Sequence, residues 1–209
     1  MTMTVYVALL RAVNVGGTGM IPMDDLKALC GCLGFEDVRT YIQSGNVVFR
    51  SERDAASTQA LLARSLAARM KGPVGVILRT PSELRRTLAG NPFPKAPTNR
   101  VIVFFLDARP EKGAIDGLRI PGNEEVRVVG REIFVYYPDG QGRSRLRLPQ
   151  AKTATGRNLN TVAALAELAE STSRAPRSPR PSGRDRASSS ARSAPDTRNR
   201  AGRRSRSPG

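Results

Sequence analysis

Short apolar runs alternate with stretches of helical periodicity in the first part of the chain. Residues 5–10 are continuously apolar, which predicts a buried β-strand. Beyond Pro22, apolar residues recur at spacings of three and four as far as Gly34, the pattern of an amphipathic helix with a glycine stop. Two strands, a helix and a further strand are predicted next, at residues 38–43, 46–50, 54–70 and 74–79. This order is that of the split βαβ unit of ferredoxin-like domains.

The second half of the chain repeats nearly the same order without visible sequence identity. A capping box at residues 80–83 begins a connecting helix, and the apolar run at residues 100–107 predicts a central strand. A brief helix, two strands and a last helix are predicted at residues 111–118, 124–129 and 132–137 and from Asn160 onwards. We therefore predict an α+β fold of two stacked ferredoxin-like lobes, residues 1–79 and 80–170, before a tail at residues 171–209.

Composition separates the tail from the two lobes. Basic and acidic side chains number 34 and 18 and give a net charge of +16, of which residues 171–209 hold 11 arginines and 2 aspartates, a local charge of +9. The tail has no apolar side chain larger than alanine or proline, so burial cannot offset the entropy lost on ordering it. We expect it to be disordered and its removal to leave the melting temperature nearly unchanged. It is either a non-specific nucleic-acid tether or an extension with no selected role.

The absence of histidine excludes several kinds of site within this chain. An imidazole general base, a histidine-ligated zinc and a histidine pH switch all need that side chain. Cys30 and Cys32 lie in a predicted helix and point about 200° apart, so we expect two small buried or half-buried apolar side chains and no disulfide. The apolar run at residues 5–10 is too short to span a membrane. We predict no metal, no cofactor, no membrane association and a cytoplasmic location.

A glycine-rich loop joins the first strand to the first helix and carries candidate ligand-binding residues. It contains Arg11, Asn14, Gly16 and Gly17. Glycines let backbone N–H groups approach an anion, and a helix N-terminus favours negative charge. The loop matches neither the Walker A motif nor the dinucleotide fingerprint. Glycines that only permit a sharp turn explain the same pattern.

Two other polar segments are candidates. The hairpin turn carries Ser44 and Asn46, which also suit a turn without any ligand. In residues 142–149, an extended backbone would place three arginines, at positions 143, 145 and 147, along one side. The start of the last helix carries Arg157, Asn158 and Asn160, and helix capping explains only part of this polar set.

These segments resemble a bacterial family, domain of unknown function 1697, in the stretches LLRAVNVGG, PMDDLKALCGCLGFEDVRTYIQSGNVVF, NPFP, GRSRLRLP and TGRNLNTVAALAEL. The resemblance spans about residues 3–170 and implies an α+β protein of two related subdomains, but little about function. The family motifs place recurrent polar residues at Arg11, Asn14, Gly16, Gly17, Ser44, Gly45, Asn46, Ser144, Arg157, Asn158, Asn160 and Thr161. Leu159 stands where the family often has tryptophan, so a stacking contact is lost. Arg145 stands where the family often has lysine, and arginine offers no deprotonatable amine.

Three hypotheses of function follow. In the first, the protein is a binding module whose loops form a cationic pocket for a phosphorylated metabolite or a nucleic-acid end. Its predicted ligand-binding residues are Arg11, Asn14, Gly16, Gly17, Ser44, Asn46, Arg157, Asn158 and Asn160. In the second, it is an enzyme acting on a phosphate- or carboxylate-bearing substrate, with Ser44 or Ser144 as nucleophile; a carboxylate or the Lys152 amine beside either serine would favour it. In the third, it is a scaffold that acts through its basic tail.

We predict that residues 171–209 dominate any affinity of the chain for DNA or RNA, because they hold +9 of the net charge of +16. Their removal should weaken binding and flatten its dependence on salt, with little change in sequence preference, since the tail would act by counterion release. Filter binding of one DNA duplex over a series of salt concentrations measures both quantities. Equal affinity and equal salt slope with and without the tail would place the nucleic-acid site in residues 1–170.

Overall fold

A computed structural model of the protein describes residues 3–11, 21–42, 45–70 and 72–176. In chain order these residues form β1 (Thr4–Arg11), α1 (Met23–Cys32), β2 (Glu36–Tyr41), β3 (Asn46–Ser51), α2 (Ala55–Met70), β4 (Gly75–Arg79), α3 (Pro81–Ala89), β5 (Val101–Phe105), β6 (Glu125–Val129), β7 (Glu132–Tyr136), β8 (Thr155–Asn158) and α4 (Leu159–Arg174). Short 3-10 helices occur in the connections at Thr98–Arg100, Gln141–Arg143 and Pro149–Lys152.

The strands form two four-stranded antiparallel sheets with matching strand order. The first sheet is ordered β2-β3-β1-β4 and the second β6-β7-β5-β8. In each, the strand that comes first in the chain lies between the third and the fourth, which is the ferredoxin-like arrangement. The predicted fold class, α+β with two ferredoxin-like lobes, is confirmed.

The main core lies between the two sheets, together with α3 and α4. Alternate residues of β1 and alternate residues of β5 point into this core from opposite sides, and residues of α4 pack between them. The buried residues of this core include Val5, Val7, Leu9, Val101, Val103, Phe105, Val162 and Leu165. The opposite face of β1 packs against α1 and α2. Burial of each such side chain stabilises the fold by about 1.5–3 kcal/mol, so α4 holds the two sheets together through its apolar face.

Local sequence signals mark the starts of α2 and α3 and the end of α1, as predicted. Thr80 and Glu83 form a reciprocal capping box at the start of α3, with Glu83 N–H donating to Thr80 Oγ1 at 3.3 Å and Thr80 N–H donating to Glu83 Oε2 at 2.8 Å. Gly34 follows α1 with a φ of 80°, a left-handed conformation that glycine adopts without strain. Asp54 caps α2 by accepting from Ser57 N–H at 2.8 Å.

The predicted helix at residues 111–118 is wrong, because this connection consists of turns. Gly113 and Gly117 have φ values of 83° and 72°, and two left-handed residues interrupt a right-handed helix. Only Ile115 and Leu118 of the segment pack on the outer face of the second sheet. That face is therefore covered by turns and loops, whereas α1 and α2 cover the equivalent face of the first sheet.

Strand β8 was not predicted from the sequence. The segment Thr155–Asn158 is short and contains glycine and asparagine, which are rare in strands. It is a strand because β5 offers it a free edge, with Phe104 opposite Gly156. A Cβ added at Gly156 would lie 3.1 Å from a ring carbon of Phe104, so glycine permits the close approach of the two strands.

Arg50 of β3 links the first sheet to the end of α4. Its Nη2 donates to the carbonyl oxygens of Thr172 and Ala175, the latter at 2.6 Å, and its Nε lies 2.8 Å from Asp37 Oδ2. Helix α4 continues to Arg174, so the predicted start of the tail at Ser171 is too early. No apolar residue larger than alanine or proline follows Leu168, and the last turn of α4 is fixed by these contacts to another element.

Several sequence predictions concern residues outside the described ranges or remain untested. The tail beyond Pro176 lies outside them, so its predicted disorder stays a prediction. The longest described helices, α2 and α4, have 16 residues each, and no described helix combines the length and apolar character needed to cross a membrane. The cytoplasmic location stays a prediction.

The effect of removing the tail on the stability of the two lobes should depend on the residue at which the chain is truncated. A chain ending at Glu170 loses Thr172, whose side chain is fully buried, and both carbonyl acceptors of Arg50. We expect its melting temperature to fall by about 6 °C or more, because each of the two lost hydrogen bonds to a charged group amounts to about 1.5–3 kcal/mol and 1 kcal/mol corresponds to about 2–4 °C at this size. A chain ending at Pro176 is the matched control and should melt with the full-length protein. Equal melting of the two truncated chains would contradict the role of these contacts.

Candidate functional site

Arg157 lies on the face of β8 that points toward the first sheet. In the second sheet, Arg157 and Thr155 pair with Val103 and Phe105 of β5, and both of these apolar side chains belong to the main core. Directly paired residues of antiparallel strands project to the same side. Arg157 therefore extends between the two sheets.

Within the described residues, the Arg157 guanidinium forms five hydrogen bonds, three of them to the end of the first sheet. Nε donates to Asn46 Oδ1 at 2.6 Å, and Nη2 donates to the carbonyl oxygens of Leu10 at 2.9 Å and Gly45 at 3.4 Å. Nη1 donates to two oxygens of β8 itself, both at 2.8 Å. We call this arrangement the Arg157 joint, because it ties β8 to the ends of β1 and β3.

The joint is polar and partly shielded from water. Asn46 is fully buried, and its Nδ2 donates to the Tyr41 carbonyl oxygen at 3.2 Å, so its amide connects β2 to Arg157. Burial lowers the pKa of Arg157 to about 10, which still leaves the guanidinium protonated at neutral pH. The joint therefore carries a positive charge, and the acceptors named here are uncharged oxygens.

Arg11 reaches the same end of β1. It continues the alternation of Val7 and Leu9, which point into the main core, so its side chain projects toward the second sheet. Its Nη1 donates to the carbonyl oxygen of Lys152. The guanidinium lies against Gly75, where an added Cβ would be 2.5 Å from Arg11 Nε. The structure thus brings Arg11, Asn46 and Arg157 to one region, the junction of the two sheets.

The other predicted ligand-binding residues are either elsewhere or outside the described ranges. Asn158 caps α4, with its Oδ1 accepting from Thr161 N–H at 2.8 Å, and this capping role explains its position. Asn160 is exposed in the first turn of α4. The remaining four, Asn14, Gly16, Gly17 and Ser44, lie outside the described residues.

Ser144 forms a second polar cluster, in the second lobe. Its hydroxyl donates to Glu124 Oε1 and accepts from Leu146 N–H at 3.0 Å. The Ser144 hydrogen bond is the main cause that lowers the pKa of Glu124 below its ordinary value. The predicted alternation around Ser144 is present: Arg143, Arg145 and Arg147 are exposed, while Leu146 is half-buried and Leu148 buried.

Sequence reasoning missed a further buried arginine that crosses between the sheets. Arg79, at the end of β4, is 1% exposed; its Nε donates to Glu132 Oε1 at 3.0 Å and its Nη2 to the Leu106 carbonyl oxygen at 2.7 Å. It also lies over the ring of Phe105, 5.4 Å from the centroid. The only signal in the sequence is an arginine directly after three apolar residues, Val76, Ile77 and Leu78, and that signal does not identify the partners.

Cys30 and Cys32 differ in their surroundings. Cys30 is buried in the helix-covered core of the first sheet, and burial raises the pKa of its thiol to about 12. Cys32 is exposed. The expectation of a small buried side chain is confirmed for Cys30 and wrong for Cys32, which lies on the outer face of α1.

Comparison with known proteins gives a family and a fold. The model of the family described as a protein of unknown function, DUF1697, matches residues 3–134, more than half of the chain. The chain belongs to this family. A conserved bacterial protein, SP0830 from Streptococcus pneumoniae, has a solved structure similar to that of this DUF1697 chain, with a TM-score of 0.67 and 22% identity over 80% of this chain and 99% of that one. At that identity the likeness shows the fold alone. A search of curated proteins found no match.

Replacement of Arg157 by methionine should destabilise the fold strongly. It removes a charged donor from oxygens of β1, β3 and β8, and each lost bond of this kind amounts to about 1.5–3 kcal/mol, so we expect a loss of about 3 kcal/mol or more in the free energy of unfolding. Urea denaturation measures it. Arg64→Met, at an exposed position of α2, is the control and should change stability by less than about 0.5 kcal/mol. Equal stability of the two variants would show that the joint is not needed.

Proposed function

We propose that this DUF1697 protein is a binding module for a small anionic ligand carrying a phosphate or carboxylate group. The proposed site is the junction of the two sheets, at the end of β1. The observation that supports it is that two guanidinium groups, those of Arg11 and Arg157, come to this one region from different sheets.

The two arginines would have different roles. Arg157 is held by acceptors on three strands, so it would form a fixed positive wall of the site. The described contacts of Arg11 use one of its five N–H donors. Arg11 would therefore donate to the ligand directly, and a guanidinium suits a phosphate or carboxylate because it presents two parallel N–H groups.

Electrostatics favour an anion here. The positive charge of Arg157 is partly shielded from water, and a charge in such surroundings acts over a longer distance than one at an open surface. Carbonyl and amide oxygens orient toward a guanidinium without neutralising its net charge. The side chain of Lys152 is exposed beside the Arg11 contact. The sequence prediction adds Asn14, Gly16, Gly17 and Ser44 as further ligand-binding residues.

A second candidate function, an enzyme with Ser144 as nucleophile, is favoured by one contact. Glu124 is a carboxylate in hydrogen-bond contact with the Ser144 hydroxyl, which is the kind of neighbour a serine nucleophile needs. However, the pKa of Glu124 is lowered, and a weaker base accepts a proton less readily. The pair also closes a local turn through Leu146. Binding at the junction is therefore the primary proposal.

Arg11→Ala should weaken the binding of an anion at the junction by about 1.5–3 kcal/mol, the contribution of a hydrogen bond to a charged group. The ligand would first be found by a thermal-shift screen of the full chain against phosphorylated metabolites, dicarboxylates and 5′-phosphorylated oligonucleotides. Titration calorimetry of the parent and variant then measures the difference. Arg64→Ala is the matched control, because Arg64 is an exposed arginine of α2 far along the chain from the junction segments.

Two outcomes would contradict the proposal. One is that every anion that stabilises the parent binds Arg11→Ala with unchanged affinity. The other is that Arg64→Ala weakens binding as much as Arg11→Ala, since that would show a general charge effect without a local site.

A further inference from the structure

A cavity in the second lobe lies apart from the junction and is bounded by charged residues of both signs. It has a volume of about 260 Å³, is partly open to solvent, and lies between the chain that leads into β6 and the chain that follows β7. Its lining includes Asn123, Glu124, Tyr137, Asp139, Arg143 and Arg145. Two arginines and two acidic residues therefore line one small space.

Most of the charged groups around this cavity retain unused hydrogen-bonding capacity. Arg143, Arg145 and Asp139 are exposed, and within the described residues none of their side chains has a hydrogen bond or an ion pair. Glu124 is 8% exposed; its two oxygens accept from Ser144 Oγ and from Gly122 N–H. A carboxylate has about four acceptor positions, so Glu124 can accept further hydrogen bonds from a ligand.

The balance of charge restricts which ligand fits. A ligand with only negative charge would face the two carboxylates, Glu124 and Asp139, and one with only positive charge would face Arg143 and Arg145. Like charges repel and opposite charges attract, so a ligand with a single sign of charge is repelled by one of these two pairs. A molecule that carries both an anionic and a cationic group satisfies both walls at once.

We propose that this cavity binds a small zwitterion of the free amino-acid class, with its carboxylate toward Arg143 and Arg145 and its ammonium group toward Glu124 and Asp139. The volume suits a molecule of that size, since cavities for drug-sized ligands start at about 300 Å³.

Tyr137 also lines the cavity and has an aromatic ring with a phenol hydroxyl. The residue is 5% exposed and packs in the outer core of the second sheet. Burial first, and then the negative charge of Glu124, raise the pKa of its phenol to about 12. The hydroxyl therefore stays protonated at neutral pH, and Tyr137 adds no charge to the lining of the cavity.

This site does not depend on the proposed function. The junction site is formed by Arg11, Asn46 and Arg157, and none of these residues lines the cavity. Binding of an amino acid in the cavity and binding of an anion at the junction would be independent. Substitutions in the cavity would weaken only the first, and Arg11→Ala would weaken only the second.

The test uses the full-length protein and a panel of the common free amino acids. Each is added at about 10 mM, which stabilises a protein that binds it with millimolar or better affinity, and the melting temperature is measured. For each amino acid that raises it, the analogue lacking the amino group and the analogue lacking the carboxylate are measured in parallel. We expect at least one amino acid to raise the melting temperature and both of its analogues to do so less. No shift with any amino acid, or equal shifts with the analogues, would overturn the proposal.

Variants then assign binding to the cavity. Arg145→Ala should weaken binding of the amino acid about tenfold or more, corresponding to the loss of one charged contact. Arg147→Ala is the matched control, because Arg147 is an exposed arginine two residues further along the same segment that does not line the cavity. Its affinity should equal that of the parent. Equal weakening in both variants, or in neither, would overturn the assignment.

A second variant tests the acidic side of the cavity. Asp139→Asn should reduce the advantage of the amino acid over its analogue without the amino group, while leaving the analogue's affinity unchanged or higher. Asp139 is exposed and forms no hydrogen bond or ion pair among the described residues, so the fold should tolerate the change. An unchanged preference for the amino acid in Asp139→Asn would show that its ammonium group does not bind at this wall.

Discussion

The Arg157 guanidinium joins the two sheets at one point, and much of the arrangement around that point depends on it. Its planar fork binds oxygens from β1, β3 and β8 at once, which sets the positions of those strand ends relative to one another. A protonated guanidinium that is partly shielded from water needs these acceptors. The end of β1, from which Arg11 extends, is therefore held by a charged group that belongs to the second sheet.

Buried arginines recur where the first sheet meets the rest of the protein. Arg79 connects β4 to β7 through Glu132, and Arg50 connects β3 to the last turn of α4. Long side chains of this kind reach across a gap that short polar groups could not bridge, and their apolar stems pack in the core. The basic composition of the two lobes therefore does not imply an equally basic surface, because some of the arginines are buried and bind groups on other strands and helices.

The two proposed sites differ in the charge they present. At the junction, two guanidinium groups meet neutral oxygens, an arrangement suited to an anion. In the cavity of the second lobe, guanidinium groups and carboxylates are balanced, an arrangement suited to a zwitterion. The lobes have the same strand order but different coverings: helices on the outer face of the first sheet, turns and loops on that of the second. The cavity lies in the loop covering, where chain segments can carry polar side chains that a packed helix face could not.

The sequence alone determined the order of most strands and helices and the ferredoxin-like class, because apolar spacing, helix caps such as Thr80 and glycine stops such as Gly34 act over a few residues. The family followed from the resemblance of whole sequence stretches. The sequence also identified Arg11, Asn46 and Arg157 as candidate ligand-binding residues. Only the tertiary structure showed that Arg157 and Asn46 bind each other, that residues 155–158 form a strand, and that Arg50 and Arg79 bind groups distant in the chain. A guanidinium acquires its partners, and a short polar segment its strand conformation, from elements far away in sequence, and no local pattern records which elements those will be.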